Sequence, residues 1–487
     1  MTPIDRPRTL RSNAWNGTPV VGQLDPRSVW GQRPVDFVAA PKLLAPPPAA
    51  DLRDWRNEAV GWGIVLPENV AIAPAARAAV AESDGPQLLA EIVEQRRGVV
   101  VRHDPALGNG YVTRYYPDGS SQQMSVIGSL PGTARGALPM YLMIYAGPAA
   151  IPWSFQYQLN SDRFVGRLDP AGAGSDNYLA ALKADWAGSQ VDSGAPLLWT
   201  VDHGGGDITH LMAQVVGDAL WQRFLADTDM PRRRRLGGGD ALGAGLTAAL
   251  AELNPAFAVT TSHGQTSVPA VGSLADSLGT PIDADFAALD LDALFAAWSP
   301  GGLIWYAHAC CSAGSDAASR FSDLFQPQDP MRTMLDSVAA HAGACTSPLA
   351  QRLLGAQAPA RAFVGHVEPT FDWTLRDPAT GQPLANTLID ALYNQLFAPG
   401  PGGLPTPIGF ALARLFDEAD AFFTAWVAAI AEVNRGTPGA PDWALYRKLA
   451  GYDRQGTVIL GDPTVSLPPL AAVTPGGGQQ ALPAGPH

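Results

Sequence analysis

The sequence predicts an α/β protein whose core is a mainly parallel sheet flanked by helices. Two observations predict this class. Short apolar runs of strand length recur along the chain, for example residues 140–145, 196–201 and 303–306. Segments with helical length and periodicity separate them, such as residues 209–225. Strands and helices that alternate at this spacing are joined by right-handed crossovers, which make neighbouring strands parallel.

Changes in composition divide the chain into five parts. Residues 1–85 are rich in Pro, Arg, Trp and Asp, and we expect an extended N-terminal arm laid over the body. Residues 86–190 indicate a smaller first α/β subdomain, and residues 191–385 indicate the main α/β domain. Residues 386–470 are expected to be helical with one closing strand. Residues 471–487 have the Gly- and Pro-rich composition that is typical of a disordered tail.

The charge balance argues against some classes of partner, and the cysteine count indicates the redox compartment. The 487 residues carry 32 basic and 45 acidic side chains, a net charge of −13, which argues against nucleic acid or a membrane as the main partner. The start of the chain lacks a secretion-signal pattern, and a run of about 18 apolar residues is absent. The three cysteines do not form a disulfide framework, so we expect reduced thiols and a cytoplasmic location.

Three predicted strands end in residues that can carry chemistry. One strand leads into the adjacent pair Cys310 and Cys311, and the predicted strand before it ends in His263. Asp202 follows a third predicted strand. Because the carboxyl ends of parallel strands share one edge of a sheet, where ligands and chemistry collect, we expect Asp202, His263 and Cys311 to converge there.

A cysteine beside a histidine supplies a nucleophile and its base. Gly264 follows His263, and a glycine at this point lets a backbone N–H approach a developing oxyanion without interference from a Cβ atom. Adjacent strand residues point to opposite faces, so we expect only one of Cys310 and Cys311 to face His263. The Cys/His spacing does not match a metal cluster, and we expect neither a metal nor another cofactor.

Other histidines and the third cysteine have alternative roles. His203 lies in a glycine-rich loop and is the competing base, but two predicted helices and a second His-Gly pair separate it from the cysteines. Its His-Gly-Gly-Gly loop is similar to the oxyanion loop of lipase-like hydrolases, although no Gly-x-Ser-x-Gly elbow follows. His308 is expected to be a satisfied core residue, and Cys345 a passive buried thiol. His366 either shapes the cleft or caps a strand.

The two motifs resemble those of the caspase-like cysteine peptidases, a group that includes caspases, metacaspases, gingipains and CHAT-domain proteins. The resembling stretches are Thr-Ser-His-Gly at residues 261–264 and Ala-Cys-Cys-Ser-Ala-Gly at residues 309–314. Metacaspase and gingipain motifs place the nucleophile three residues before a glycine, which selects Cys311. The layout is closest to gingipain-like peptidases, whose catalytic domains tend to close with Gly-Asp-Pro-Thr, as residues 461–464 do here.

The resemblance implies a caspase–hemoglobinase-like fold for residues 191–385 and the activity of a cysteine endopeptidase. In that interpretation Cys311 attacks the scissile carbonyl and His263 carries the proton to the leaving amine. The N–H groups of Gly264 and Cys311 hold the oxyanion. The group usually lacks a firm third catalytic member, so none is assigned. The lack of a secretion signal and the histidine at position 308 depart from the usual pattern.

The expected ligand is a protein or peptide substrate, and an activating or regulatory protein is a further candidate partner. Asp202, Asp207 and Asp316 are the candidate substrate-binding residues, and a carboxylate at Asp202 favours cleavage after Arg or Lys. The alternative is that Asp202 caps the following turn or holds His203. The rival interpretations are a catalytically silent caspase-like scaffold that binds a protein partner, and an enzyme acting on a non-peptide acyl group. A regulated role in bacterial defence or cell death is the setting that the resemblance suggests.

Overall fold

A computed structural model describes residues 9–30, 50–172, 174–377 and 379–470. The tail predicted over residues 471–487 lies outside the described residues. Within the described ranges, no helix has the length and apolar character needed to cross a membrane. All three cysteines are free thiols.

The strands of the described ranges lie in one large and two small sheets. In chain order they are β1 (Thr9–Trp15), β2 (Pro19–Gln23), β3 (Trp62–Pro67), β4 (Val99–His103), β5 (Tyr111–Tyr115), β6 (Ser121–Ser125), β7 (Tyr141–Tyr145), β8 (Phe164–Leu168), β9 (Leu197–Thr200), β10 (Arg234–Gly237), β11 (Phe257–Thr261), β12 (His263–Gln265), β13 (Pro281–Ile282), β14 (Ile304–His308), β15 (Gly314–Ser315), β16 (Cys345–Thr346), β17 (Ala362–His366) and β18 (Thr457–Gly461).

Helices occupy the connections between the strands. They are α1 (Gln87–Gln95), α2 (Trp153–Asn160), α3 (Ser175–Lys183), α4 (Ile208–Met212), α5 (Ala219–Ala226), α6 (Gly243–Leu253), α7 (Leu291–Ala297), α8 (Pro330–Ala342), α9 (Pro348–Gly355), α10 (Asp372–Leu375), α11 (Asn386–Ile389), α12 (Ile408–Ala411), α13 (Ala413–Asn434) and α14 (Ala440–Gln455). A π-helical turn, Ala213–Asp218, joins α4 to α5, so the helix predicted over residues 209–225 is confirmed with a bulge inside it.

The large sheet has twelve strands among the described residues, in the order β10-β9-β11-β14-β17-β18-β8-β7-β3-β4-β5-β6. Its neighbours are parallel except at β17/β18, β4/β5 and β5/β6. The mixed α/β class with a large, mostly parallel sheet is therefore confirmed. Because β17 and β18 are antiparallel, two parallel blocks run in opposite directions, and the carboxyl ends of β9, β11, β14 and β17 lie at one edge.

The central strands are mostly apolar and are buried along their whole length, because helices cover both faces of a parallel sheet. Strand β7 reads Tyr-Leu-Met-Ile-Tyr, and every residue of it is buried. Strands β11, β14 and β17 are also buried throughout. A buried apolar run of this length cannot reach water at any position, so the helices on either side are needed to cover it.

The predicted boundary after residue 85 does not separate an arm from the body. Strand β3, which falls in the predicted arm, lies inside the large sheet between β7 and β4. Its sequence, Trp-Gly-Ile-Val-Leu-Pro, is a buried apolar run that the Pro- and Trp-rich composition around it obscured. The two predicted α/β units also share one sheet, since β18 pairs with β17 on one side and β8 on the other.

A second sheet of four strands covers the edge at which β11 ends. Its order is β13-β12-β1-β2, and β1 runs parallel to β12 while β2 returns antiparallel to β1. The first described residues of the chain, Thr9–Gln23, therefore form a hairpin that pairs with the segment directly after β11. This hairpin was not predicted from the sequence as an ordered element.

The junction of the two parallel blocks depends on a close backbone approach. Gly166 in β8 faces β18, and a Cβ atom added at Gly166 would lie 2.1 Å from the Gly461 carbonyl oxygen. A backbone atom cannot move away as a flexible side chain can. The β8–β18 pairing therefore needs glycine at position 166.

Replacing Gly166 with alanine is expected to destabilise the protein by about 1–3 kcal/mol, the range typical of over-packed sites. Gly239→Ala is the matched control, because no atom lies within 4 Å of the Cβ position at Gly239. Urea unfolding followed by tryptophan fluorescence measures both variants. Equal midpoints for Gly166→Ala and wild type would show that the two blocks do not depend on this contact.

Candidate active site

Four strand ends meet at the edge of the sheet that the second sheet covers. Strands β9, β11 and β14 are in register, with Thr261 opposite Thr200 on one side and His308 on the other. The Ser262 N–H donates to the His308 carbonyl at 3.3 Å. The loop after β9, the histidine after β11 and the cysteines after β14 are therefore neighbours at this edge.

The histidine loop and the cysteine turn are in backbone contact. A Cβ atom added at Gly264 would lie 2.0 Å from the Cys310 carbonyl oxygen. Any side chain at position 264 would therefore force the two segments apart. Gly264, which the sequence predicts as an oxyanion donor, is therefore also required to be glycine for this structural reason.

His263 is oriented by a carboxylate. Its side chain is fully buried, and its Nε2 lies 2.9 Å from Asp207 Oδ2. The imidazole therefore donates from Nε2, and in its neutral form the other nitrogen, Nδ1, carries a lone pair. Nδ1 is buried and has no hydrogen-bond partner among the described residues. It is the atom that can accept a proton from a substrate or a thiol.

Asp207 was predicted to bind substrate, but the structure places it against His263. It caps α4, and its Oδ1 accepts from the Thr209 N–H at 2.7 Å and the Thr209 hydroxyl at 2.6 Å. Burial raises its pKa, but the hydrogen bonds from His263 and Thr209 outweigh burial and lower the pKa to about 2. Asp207 is therefore a fixed carboxylate that holds the imidazole, a third member that sequence analysis did not assign.

The two adjacent thiols lie on the same side of the chain. Both cysteines follow β14 in a turn, and their sulfur atoms are 3.4 Å apart. The expectation that they point to opposite faces is wrong, because that rule holds inside a strand and β14 ends at His308. Cys311 has a φ of 54°, the left-handed conformation that such a turn requires.

Neither thiol reaches solvent, and each has a distinct environment. Both cysteines are 0% exposed. Burial and the neighbouring Cys311 raise the pKa of the Cys310 thiol well above its ordinary value. Cys311 lines a small pocket together with Asp316 and Glu368. Because His263 Nδ1 is unpartnered within the described residues, the strand ends meet without a thiol–imidazole hydrogen bond.

The two predicted oxyanion donors differ in their surroundings. Gly264 is an interior residue of β12, opposite Ala14 on one side and Pro281 on the other. The Cys311 N–H donates to the Glu368 carbonyl at 3.1 Å. In this conformation the Cys311 N–H is therefore occupied, and it can hold an oxyanion only after the Glu368 backbone moves.

Glu368 is a site residue that the sequence analysis missed. It follows β17 at the same edge, has a φ of 78° and is buried. Burial raises the pKa of its carboxyl group to about 7, against the lowering effect of Arg320. A lone glutamate in a Gly-His-Val-Glu-Pro stretch carries no signal of this placement, since only the position of β17 beside β14 brings it to the cysteines.

His203 lies closer to the site than expected. Its ring stacks parallel to His263, with centroids 5.5 Å apart and planes 12° apart. Its Nε2 lies 3.0 Å from the Asp283 carbonyl oxygen, and Phe286 stacks on its other side at 3.9 Å. His203 therefore packs against the candidate base, whereas the Asp207 hydrogen bond belongs to His263.

The other two predicted substrate-binding aspartates have separate places. Asp202 accepts from the Gly204 N–H at 2.8 Å and pairs with His210 Nδ1 at 3.0 Å, so it caps the turn as the alternative interpretation stated. Asp316 lies in the small pocket beside Cys311, where burial raises the pKa of its carboxyl group.

The predicted core histidine, His308, is satisfied as expected. Its Nδ1 lies 2.7 Å from the Tyr306 hydroxyl, and its Nε2 lies 3.3 Å from the Thr370 hydroxyl. Burial lowers its pKa to about 3, so it is neutral at physiological pH. His366 packs edge-on against it, with centroids 4.7 Å apart.

An open cavity of about 390 Å³ adjoins the carboxylate that holds His263. Its wall includes the carboxylates of Asp207, Asp372 and Asp377, the side chains of Arg11 and Arg376, and Trp373. Burial raises the pKa of the Asp372 carboxyl group to about 6, although the Arg11 N–H bonds to it. Three carboxylates and two guanidinium groups line this cavity, so its wall carries both signs of charge. Asp372 and Asp377 follow no strand motif, and the sequence analysis did not find them.

His203, Asp207 and His263 also form a group that could hold a metal ion. One potential ligand atom from each lies within 4.8 Å of the others. Two imidazoles and a carboxylate are a ligand set that Zn²⁺ accepts. An ion bound there would compete for the imidazole that the cysteine site needs as its base.

The chain matches no protein-family model, and comparisons with curated proteins and with solved structures find no match. What the site does is therefore inferred from its own chemistry. A buried imidazole, a carboxylate that orients it and a pair of adjacent thiols define a cluster capable of proton transfer and nucleophilic attack.

Asp207→Asn should destabilise the protein at neutral pH by about 1–3 kcal/mol, because a buried imidazole N–H loses its charged acceptor. The folded-state pKa of Asp207, about 2, lies below the ordinary value of 3.8. The stability from its ionised form is thus complete above about pH 4 and is lost as the pH falls toward 2.

Thermal unfolding of wild type and Asp207→Asn at pH 6 and pH 3 measures this effect. The difference between them should be smaller at pH 3. Asp202→Asn is the control, since Asp202 is half-buried and its pairing with His210 is worth little. A difference that stays constant with pH would contradict the charged pairing of Asp207 and His263.

Proposed function

We propose that the protein is a caspase-like cysteine endopeptidase in which Cys311 is the nucleophile and His263 the general base. One observation carries this proposal. The His263 ring is held through Nε2 by Asp207 and keeps an unpartnered Nδ1, and its loop lies directly against the cysteine turn. An oriented base with a free lone pair beside a thiol is the arrangement that covalent acyl transfer requires.

Each side chain has a defined step. His263 Nδ1 takes the proton of the Cys311 thiol, and the sulfur attacks the peptide carbonyl carbon. The carbon–nitrogen bond breaks as His263 gives that proton to the leaving amine. Water then hydrolyses the thioester, with His263 again acting as the base. Asp207 fixes the imidazole orientation and stabilises its positive charge in both half-reactions.

The choice of Cys311 over Cys310 has support in their environments. Burial and Cys311 raise the pKa of Cys310, which disfavours its thiolate. Cys311 borders the pocket that holds Asp316 and Glu368, whereas Cys310 packs its backbone against Gly264. Cys311 therefore borders a pocket of about 10 Å³, and a substrate group could reach its sulfur only after this pocket widens.

A second candidate is a catalytically silent scaffold of the same fold. The complete burial of both thiols and of His263 favours it, because a substrate cannot reach them in this conformation. Thiol labelling separates the two: an active site should react with iodoacetamide at Cys311 faster than at Cys345 once the site is open. A cytoplasmic location, where the three free thiols would stay reduced, belongs to the peptidase proposal.

Cys311→Ala and His263→Ala should each abolish or strongly reduce peptide cleavage, since loss of a positioned base costs about 10²–10⁴-fold. Cys310→Ala and His203→Ala are the matched controls and should keep measurable turnover. Digestion of a peptide library, quantified by mass spectrometry, provides the rates. Full activity in Cys311→Ala with none in Cys310→Ala would identify Cys310 as the nucleophile.

We expect cleavage after Arg or Lys, with the positive charge received in the cavity lined by Asp372 and Asp377. Asp202 is committed to His210 and to its own turn, so Asp202→Ala should leave the preference unchanged. Asp372→Asn should lower kcat/KM for substrates ending in Arg by about tenfold or more, as loss of a desolvated charge pair does.

Fluorogenic peptides that end in Arg, Lys, Asp or Leu test this preference. Faster cleavage after Asp or Leu in wild type would refute the basic specificity. If Asp202→Ala is the variant that loses the preference for Arg, the carboxylate that selects Arg is Asp202, at the end of β9.

A further inference from the structure

The hairpin formed by β1 and β2 occupies the strand position beside the catalytic histidine. Strand β1 runs parallel to β12, with Ala14 opposite Gly264 and Trp15 opposite Gln265. The Trp15 carbonyl accepts from the Thr266 N–H at 3.0 Å and from the Thr266 hydroxyl at 3.1 Å. The backbone of the hairpin thus extends the sheet at the point where the active site lies.

Side chains of the same strand cover the catalytic groups. The Trp15 ring lies over His263, with centroids 5.4 Å apart, and also stacks on Phe286 at 4.9 Å. Leu10 and Ala14 are fully buried in the apolar cluster that contains both Cys310 and Cys311. One short strand therefore contributes to the burial of both the base and the thiols.

Polar contacts anchor this strand along the groove. The Arg11 N–H bonds to Asp372 Oδ1 at 3.2 Å, which places Arg11 at the wall of the cavity that Asp372 and Arg376 also line. The Thr370 N–H bonds to Asn13 Oδ1 at 3.0 Å, and the Asn13 N–H returns a bond to the Thr370 carbonyl at 3.3 Å. The groove thus recognises both the backbone and the side chains of an extended segment.

The groove has the features by which proteins bind extended peptides. Addition of a strand to a sheet edge supplies backbone hydrogen bonds, and pockets for alternate side chains supply selectivity. Here the edge is β12, an apolar surface lies over His263, and carboxylates border the position of Arg11. The groove is joined to the site at which peptide cleavage is proposed.

We propose that the groove beside β12 is a polypeptide-binding site and that residues 9–23 of this chain are its internal occupant. When the hairpin leaves, an extended polypeptide binds in the direction of β1, with an aromatic or apolar side chain in the place of Trp15 over His263. The hairpin meanwhile keeps the thiols and the base from solvent. That the bound polypeptide is a substrate rests on the proposed function.

The rate of thiol alkylation tests the cover without relying on peptide cleavage. Iodoacetamide labelling of each cysteine, followed by tryptic mass spectrometry, is compared in wild type, in Trp15→Ala and in a variant lacking residues 1–23. Cys310 and Cys311 should react about tenfold faster or more in both variants, because a buried group reacts only through open states. Cys345 serves as an internal reference in each sample.

Val21→Ala is the matched control, because Val21 lies in the same hairpin with its side chain 41% exposed. It should label like wild type. A synthetic peptide with the sequence of residues 9–23, added to the truncated variant, should restore protection of Cys310 and Cys311 in a saturable way. A peptide of the same composition in scrambled order should not.

The outcomes separate this inference from the proposed function. Unchanged labelling in Trp15→Ala and in the truncated variant would show that the hairpin does not shield the thiols. If the truncated chain does not fold, the labelling rate of Trp15→Ala decides this point. Faster labelling without protection by the peptide overturns the polypeptide-binding groove. Faster labelling with peptide protection, but with no cleavage of any library peptide, leaves the groove standing and removes the peptidase proposal.

Discussion

The site depends on one backbone contact, the approach of Gly264 to Cys310. The Cβ position at Gly264 is filled by the Cys310 backbone, with its carbonyl oxygen only 2.0 Å away. This contact is possible because β11 and β14 are parallel neighbours whose ends lie side by side. It brings the histidine loop to the cysteine turn, and the Asp207 carboxylate then fixes which imidazole nitrogen remains available.

Strand direction explains why reactive side chains from distant parts of the sequence lie together at this edge. The loops after β9, β11, β14 and β17 bring Asp207, His263, Cys311 and Glu368 to one place. The other parallel block, from β18 to β4, runs in the opposite direction, so the ends of β3, β7 and β8 lie at the far edge. A reversal at β17/β18 thus confines the site to one half of the sheet.

Apolar periodicity was enough to predict the mainly parallel sheet and the meeting of the β11 and β14 ends. These features follow from local patterns, such as the buried run in β14 and the glycine after His263. The strand at Trp62–Pro67 was missed because its neighbours obscured a short apolar run. The same local reasoning failed for the two thiols, since it assumed that the strand continued past His308.

Contacts between residues that are distant in the sequence could not be predicted, for a physical reason. The pairing of Asp207 with His263 depends on the path of the glycine loop, and the contact of Trp15 with His263 joins residues from opposite ends of a long stretch of chain. No local propensity encodes such contacts, which appear only when the sheet is assembled. The basic preference was predicted from Asp202, but that carboxylate pairs with His210, and the carboxylates that line the neighbouring cavity include Asp372 in α10.

The covered state of the site agrees with a reactive cluster that is kept out of contact with other proteins. His263, Cys310 and Cys311 are all 0% exposed. Burial raises the pKa of the Cys310 thiol, which disfavours its thiolate in this conformation. The proposed function then requires two events, the opening of the groove and the meeting of a thiol with Nδ1 of His263.

Covalent capture tests this account most directly. A peptide chloromethyl ketone with Arg next to the ketone is incubated with the full chain and with the chain lacking residues 1–23, and the adduct is located by tandem mass spectrometry. We predict one adduct per chain on the Cys311 sulfur, formed faster in the shortened chain and at least about tenfold slower in His263→Ala. An adduct on Cys345 or Cys310, or an equal rate in His263→Ala, would contradict it.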